Sequence, residues 1–205
     1  MIAGAALASA RAMSQPADEI DDAELMLRSA RGDTEAFQRL VERHQALVIG
    51  TVARMLGYNS DIEDIAQQVF IRVWKSASRY TPAAKFTTWL LTITRNLVFN
   101  ESRRRKRHPV VALEAPDTDE PHSLPDPSRS VPDEALLERE LETAIDQAVR
   151  LLPEKQRLAV VLRRYENKSY EEIAEVLNLS VPAVKSVLFR ARSELRTLLR
   201  RYLDR

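Results

Sequence analysis

Apolar side chains recur every three or four positions along most of this chain, the spacing of helices that bury one face. The pattern starts near Asp22, where Leu25, Met26 and Ala30 form a short amphipathic stretch that Gly32 ends. Asp33 is placed to cap a second helix, which carries Phe37, Leu40, Val41, His44, Leu47 and Val48 on one face as far as about Leu56, before Gly57. Ser60-Asp61-Ile62-Glu63 reads as a capping box, and the helix it opens turns Ile65, Val69, Val73 and Trp74 inward. A loop over residues 76–85 holds Tyr80 and Pro82. A fourth helix then sets Phe86, Leu90, Ile93 and Leu97 in register and runs out into Arg103-Arg104-Arg105-Lys106-Arg107. Trp74 and Trp89 are expected in the core rather than stacked on bases.

The period is lost between His108 and Asp133. Pro109, Pro116, Pro121, Pro125, Pro127 and Pro132 interrupt any helix, and Glu114, Asp117, Asp119, Glu120 and Asp126 make the stretch acidic. It has too little apolar surface to fold alone and is expected to be a flexible, acidic, Pro-rich linker. Helices resume at Glu134. Leu137, Leu141, Ala144, Ile145 and Ala148 line one of them up to Leu152, and Pro153 suits the first turn of the next, which points Leu158, Val161, Leu162 and Tyr165 inward. Ser169-Tyr170-Glu171-Glu172 is a second capping box. Its short helix, with Ile173, Ala174, Val176 and Leu177, stops near Asn178, and Ser180 caps a helix expected to reach the C-terminus. The fold class is therefore all-α: two small helical domains, over residues 21–107 and 134–205, joined by a linker at 108–133. Residues 1–20 are read as a disordered leader, with Met13 an alternative start.

Composition narrows the function. Of 205 residues 44% are apolar, enough for packed cores, and none is cysteine, which excludes a disulfide framework and a thiolate zinc site. The three histidines, His44, His108 and His122, do not share metal-ligand spacing on a helix. Four glycines leave little for a phosphate-cradling loop, so neither a metal, a cofactor nor enzymatic chemistry is expected. No apolar run approaches the ~20 residues of a membrane span, and no basic residue precedes the apolar start as a secretory signal requires. A cytoplasmic location is expected. Lys and Arg number 31 against 30 Asp and Glu, so any nucleic-acid surface must come from local segregation of charge.

That segregation is found near the C-terminus. Residues 169–196 read as helix, three-residue turn, helix, with Ala174 small where two helices cross. At about 100° per residue, Val184, Leu188, Ala191 and Leu195 fall within about 60° of one another, and Lys185, Ser186, Phe189 and Arg190 point the other way. An apolar back with a basic, hydrogen-bonding front is what a major groove admits. Downstream of Val181, Lys185, Arg190, Arg192, Arg196, Arg200, Arg201 and Arg205 face only Glu194 and Asp204. DNA binding follows. An initiation factor and an ordinary repressor remain equally compatible with the helix-turn-helix alone.

Three motifs in order then suggest a family. Asp61-Ile-Glu-Asp-Ile-Ala-Gln-Gln-Val-Phe-Ile-Arg-Val-Trp74 resembles the core-binding helix of bacterial sigma factors. Phe86-Thr-Thr-Trp-Leu with Arg95-Asn96 resembles their melting and minus-ten segment, and Ser169 to Arg196 resembles their minus-thirty-five reader. With only a linker between the domains, the plan is similar to the extracytoplasmic-function (ECF, group IV) subfamily of the sigma-70 family. The resemblance implies a protein that binds core RNA polymerase, recognises minus-ten and minus-thirty-five elements and nucleates melting. It implies docking of Asp61, Asp64, Gln67, Gln68 and Arg72 on the clamp helices of the largest subunit, with the flap as a further polymerase contact.

The minus-ten surface implied by the resemblance comprises Tyr80, Lys85, Phe86, Arg95, Asn96, Asn100, Arg103 and Arg104. Bases that leave the stack need pockets to receive them, and phosphates need cations. The minus-thirty-five surface comprises Ser180, Lys185, Ser186, Phe189, Arg190 and Arg192. The family often has an acidic residue where Asn100 stands and a glutamate where Gln68 stands. An anti-sigma factor is a common family partner. The linker threads the polymerase cleft in the family, although an inert tether fits the composition equally. The alternatives are a stand-alone helix-turn-helix regulator, which leaves the first two motifs unexplained, and a helical hydrolase, for which Glu63 and Asp64 supply no clustered site.

Overall fold

The computed structural model describes residues 20–57, 61–107 and 133–203, and all regular structure among them is helical. A first unit contains α1 (Asp22–Ala30), α2 (Thr34–Leu56), α3 (Ile62–Ser76) and α4 (Phe86–Arg107), with a 3-10 turn at Ala77–Arg79. A second contains α5 (Asp133–Leu151), α6 (Glu154–Arg164), α7 (Tyr170–Leu177), α8 (Val181–Leu198) and the single turn α9 (Arg200–Leu203). Residues 1–19 of the expected leader, 108–132 of the expected linker and the cap at Ser60 lie outside the described residues, whereas Ile20 packs against the core and Asp133 already belongs to α5.

The helix ends show why the chain folds here. The Asp33 carboxylate accepts from the Ala36 amide at 3.0 Å and from Arg28 Nε at 2.8 Å. The amide first and the guanidinium second hold its pKa below the ordinary carboxylate value. Gly32 and Gly57, with φ of +93° and +86°, turn the chain out of α1 and α2. The α7 capping box is complete: Ser169 Oγ accepts from the Glu172 amide at 3.2 Å, and Glu172 Oε2 accepts from the Ser169 amide at 2.8 Å. Asn178, at φ 53° and ψ 56°, ends α7 in the left-handed conformation that asparagine tolerates. Ser180 accepts from the Ala183 amide at 3.4 Å to open α8.

Three details differ from the sequence expectation. Pro153 is the N-cap of α6 rather than a residue of its first turn, and the helix begins at Glu154. The last helix breaks at Leu199, where the φ/ψ of −98°/9° leaves the helical region, so α9 is a separate turn. Leu141, expected on the inner face of α5, is 39% exposed because Ala144, Ala148 and Val149 take the inward positions.

In the first unit α1 packs on α2, and α2 on α3 and α4. Leu25, Met26, Leu40, Val48, Val52, Val69, Val73 and Leu90 are shut off from solvent. In the second unit α6, α7 and α8 close around Leu158, Val161, Leu162, Ile173, Val176 and Val184. The buried residues of both units form one continuous cluster, because α4 lies along α7 and α2 along α6 and α5. This explains α4, whose amphipathic pattern is weak. Besides the expected Phe86, Leu90 and Leu97, it buries Leu91 and Val98 against the second unit.

Candidate nucleic-acid interface

Three helix faces carry the residues singled out from the sequence. On α3, Ile62, Ile65, Ala66, Val69, Phe70 and Val73 turn into the bundle, leaving Glu63, Asp64, Gln67, Gln68 and Arg72 exposed. These polar positions share their face with Ile71, which is 50% exposed. Asp61 is also exposed but ties back to α4: its Oδ2 lies 3.3 Å from Arg105 Nη2. Trp74, expected in the core, is 36% exposed, with its ring edge-on to Phe37 at 4.9 Å.

On α4, Asn96, Asn100, Arg103 and Arg104 are exposed. They are not loose. Asn96 Oδ1 accepts from Arg95 Nη2 at 2.6 Å, and Asn100 Oδ1 accepts from Arg103 Nη2 at 2.7 Å. Each amide oxygen thus holds a neighbouring guanidinium, which leaves the NH2 end as the donor. Arg104 grips Glu101 through two bonds of 2.7 and 2.8 Å, and Arg105 adds a third at 2.9 Å. The Arg104 bond foremost holds the Glu101 carboxyl down at about 2. The basic end of α4 is thereby held in a fixed arrangement rather than splayed.

Tyr80 and Phe86, expected as stacking surfaces, are only 5% and 4% exposed. They belong to an aromatic cluster in which Tyr80 meets Trp89 at 5.2 Å and Phe86 meets His44 at 5.2 Å. Burial raises the Tyr80 pKa, and its hydroxyl is enclosed without a partner among the described residues. In this arrangement neither ring is available to a base. Their apolar character had two readings, platform or core, and packing selects core. Lys85 and Arg95 are drawn to the second unit: Lys85 Nζ lies 3.1 Å from Glu172 Oε1, and Arg95 Nη1 donates to the Val176 carbonyl.

On α8 the back and front divide as the periodicity requires. Val184, Leu188 and Ala191 are buried at 0%, 4% and 0%, whereas Lys185, Ser186, Phe189, Arg190 and Arg192 are exposed. Phe189 stands out at 72% exposure, an aromatic ring with no packing role among the described residues. Ser180, read as a DNA contact, spends its hydroxyl on capping α8.

Comparison with known proteins decides what these faces belong to. The chain matches Sigma-70 region 2 over residues 40–108 and Sigma-70 region 4 over residues 142–195. It is a member of the sigma-70 family. The sigma factor is 35% identical to RNA polymerase sigma-H factor of Pseudomonas aeruginosa over 175 residues, 83% of this chain and 90% of the relative. It is 34% identical to the ECF RNA polymerase sigma-E factor of Haemophilus influenzae over 180 residues, 86% of this chain and 94% of the relative. Among solved structures it is similar to CnrH in complex with the cytosolic domain of CnrY. There the TM-score is 0.63 and the identity 28%, covering 87% of this chain and 96% of that one.

The sigma factor is thus of the ECF type, a promoter-specificity subunit of transcription initiation that binds core RNA polymerase and promoter DNA. The stand-alone regulator is not favoured, since region 2 accounts for the first unit. No described helix is long and apolar enough to cross a membrane. Ile71 is an outward residue of α3 that the sequence pattern missed. Its phase was the available signal, since it falls out of step with the Ile65, Val69 and Val73 stripe.

Proposed function

We propose that the sigma factor divides its work among these three faces. The outward side of α3, with Asp64, Gln67, Gln68, Ile71 and Arg72, docks on the clamp helices of the largest polymerase subunit, and Asp61 steadies the start of that helix through Arg105. Asn96 and Asn100 read bases of the minus-ten element while Lys85, Arg95, Arg103 and Arg104 hold its phosphates. Lys185, Ser186, Phe189, Arg190 and Arg192 read the minus-thirty-five element from the major groove, with the flap holding region 4 in place. The protein itself catalyses no bond chemistry and works in the cytoplasm. An anti-sigma factor fits as a further partner: the solved relative CnrH is bound to the cytosolic domain of CnrY.

The region 2 match over the first unit carries the initiation-factor reading, and the division of α8 carries its upstream DNA contact. A phenyl ring 72% exposed among Lys185, Ser186 and Arg190, over a buried back, suits a thymine methyl flanked by phosphate and base-edge contacts. The test is reconstitution. The pure chain is added to sigma-free bacterial core polymerase with genomic promoter fragments, and transcript 5′ ends are mapped. Starts that share upstream elements at fixed spacing are expected. Operator binding without polymerase, and no defined starts with it, would restore the regulator.

A further inference from the structure

Asp61, Arg105, Glu101 and Arg104 form one connected run of charges in the region 2 unit, with Glu101 shared by the two arginines. Glu101 lies on α4 three residues before Arg104 and four before Arg105, so both guanidinia reach back to it. Arg104 holds it with two parallel bonds, Nε to Oε2 at 2.7 Å and Nη2 to Oε1 at 2.8 Å. Arg105 Nε donates to the same Oε1 at 2.9 Å. The rest of Arg105 is turned away. Its Nη1 donates to the Leu56 carbonyl at the end of α2 at 3.2 Å, and its Nη2 lies 3.3 Å from Asp61 Oδ2. Arg105 is the more enclosed of the two cations, its side chain 29% exposed against 63% for Arg104.

A cation read as a phosphate contact is therefore already occupied. The edge of Arg104 that suits a phosphate, Nε with Nη2, is the edge that Glu101 fills. A phosphate that takes this edge leaves a carboxylate beside it, and neighbouring anions repel. At neutral pH Glu101 does not escape by taking up a proton: its carboxyl is held down at about 2, and an unperturbed glutamate titrates at only about 4.3. It needs another cation. Arg105 is already in contact, and its Nε and Nη2 lie on one edge as those of Arg104 do. The contact to Asp61 is the longest of the run, and that carboxylate is 52% exposed to water, so giving it up costs little. Arg105 then closes on Glu101 with two bonds while Nη1 stays anchored at Leu56.

We propose that Glu101 holds Arg104 until a minus-ten phosphate takes it, and that Arg105 then receives the Glu101 carboxylate. Glu101 and Arg105 are thereby positioning residues of the DNA contact, and neither touches DNA. This hand-over rests on the initiation-factor reading above, which supplies the phosphate. It also divides the basic end of α4 by role: Arg104 meets the backbone, whereas Arg105 works inside the protein.

The test is a double-mutant cycle in the full chain bound to core polymerase, read as affinity for a labelled single-stranded fragment from the minus-ten region of a mapped promoter. Glu101→Gln removes the competing charge and should tighten binding about threefold, within the worth of one exposed ion pair. Arg105→Gln leaves the carboxylate with no cation to receive it and should weaken binding about fivefold. In the Glu101→Gln background the same Arg105→Gln change should cost less than about twofold, because no carboxylate is left to receive. A purely structural Arg105 gives the opposite result, since losing Glu101 as well removes further bonds and deepens the loss. Equal loss in both backgrounds, no loss in either, or no gain from Glu101→Gln alone would each overturn the hand-over. Arg107→Gln, which removes the same charge from the same end of α4, should act alike in both backgrounds. Rescue there too would make the effect one of net charge and would also overturn it. A chain that gives no defined starts with polymerase counts against the initiation-factor reading instead. The hand-over is then judged by the same cycle on the free chain with single-stranded DNA of mixed sequence, where rescue by Glu101→Gln supports it and its absence overturns it.

Discussion

Tyr80 shows how much a single side chain leaves open until its neighbours are known. Its hydroxyl is buried without a partner among the described residues, so Tyr80→Phe should hold or raise stability, by up to about 1 kcal/mol in urea unfolding, since it removes a buried unsatisfied group. A loss of more than that would mean the hydroxyl has a partner. Glu101 makes the converse case. Its carboxyl is held at about 2, first by Arg104, so the folded pKa lies below the unfolded one. The stabilisation is complete above the ordinary glutamate value and is lost as pH falls from there through about 2. An NMR titration of the Glu101 carboxyl should have its midpoint near 2, and a midpoint in the ordinary glutamate range would contradict the Arg104 and Arg105 clamp. Neither outcome was legible from the sequence, because apolar character does not tell core from platform and an i,i+3 ion pair has many rotamers. The front of α8 was legible: Val184, Leu188 and Ala191 leave Phe189 nowhere to go but outward.

The helices themselves were largely written in local chemistry. Ser169 and Glu172 close the box their spacing announced, and Ser169→Ala should cost about 1 kcal/mol of stability by thermal or urea unfolding. No change would mean the box is dispensable where α7 is already pressed against α4. Leu199 and the second buried face of α4 were not legible. The first is a backbone departure with no Gly or Pro to mark it, and the second exists only because another unit covers Leu91 and Val98. A helix buried on two sides has no single stripe to detect. The same logic assigns Ile71. Ile71→Ala should leave the unfolding free energy within the ordinary scatter of surface changes, about ±0.5 kcal/mol, while weakening association with core polymerase by about 1 kcal/mol. Matched losses in both would place Ile71 in the fold instead of the docking face.

In the molecule as a whole, reach and charge decide the behaviour. A net charge of +1 provides no general attraction to DNA, so in the proposed reading affinity comes from the basic face of α8 and the end of α4. This makes promoter binding steeply salt-dependent and makes individual cations separable. Arg190→Ala should weaken upstream-element binding by about 1–3 kcal/mol if it meets a base edge, or lower the salt slope by about 1 if it meets a phosphate. If one unit grips polymerase and opens DNA while the other anchors to duplex upstream, the two losses must come apart. The most direct measurement is a footprint of polymerase carrying the sigma factor on one mapped promoter, read by duplex protection at minus thirty-five and permanganate reactivity of thymines near minus ten. With Arg190→Ala, upstream protection should fall while the complexes that still form remain reactive near minus ten. With Asn100→Ala, upstream protection should stay and reactivity fall. Parallel loss of both signals in either variant would contradict the division of labour.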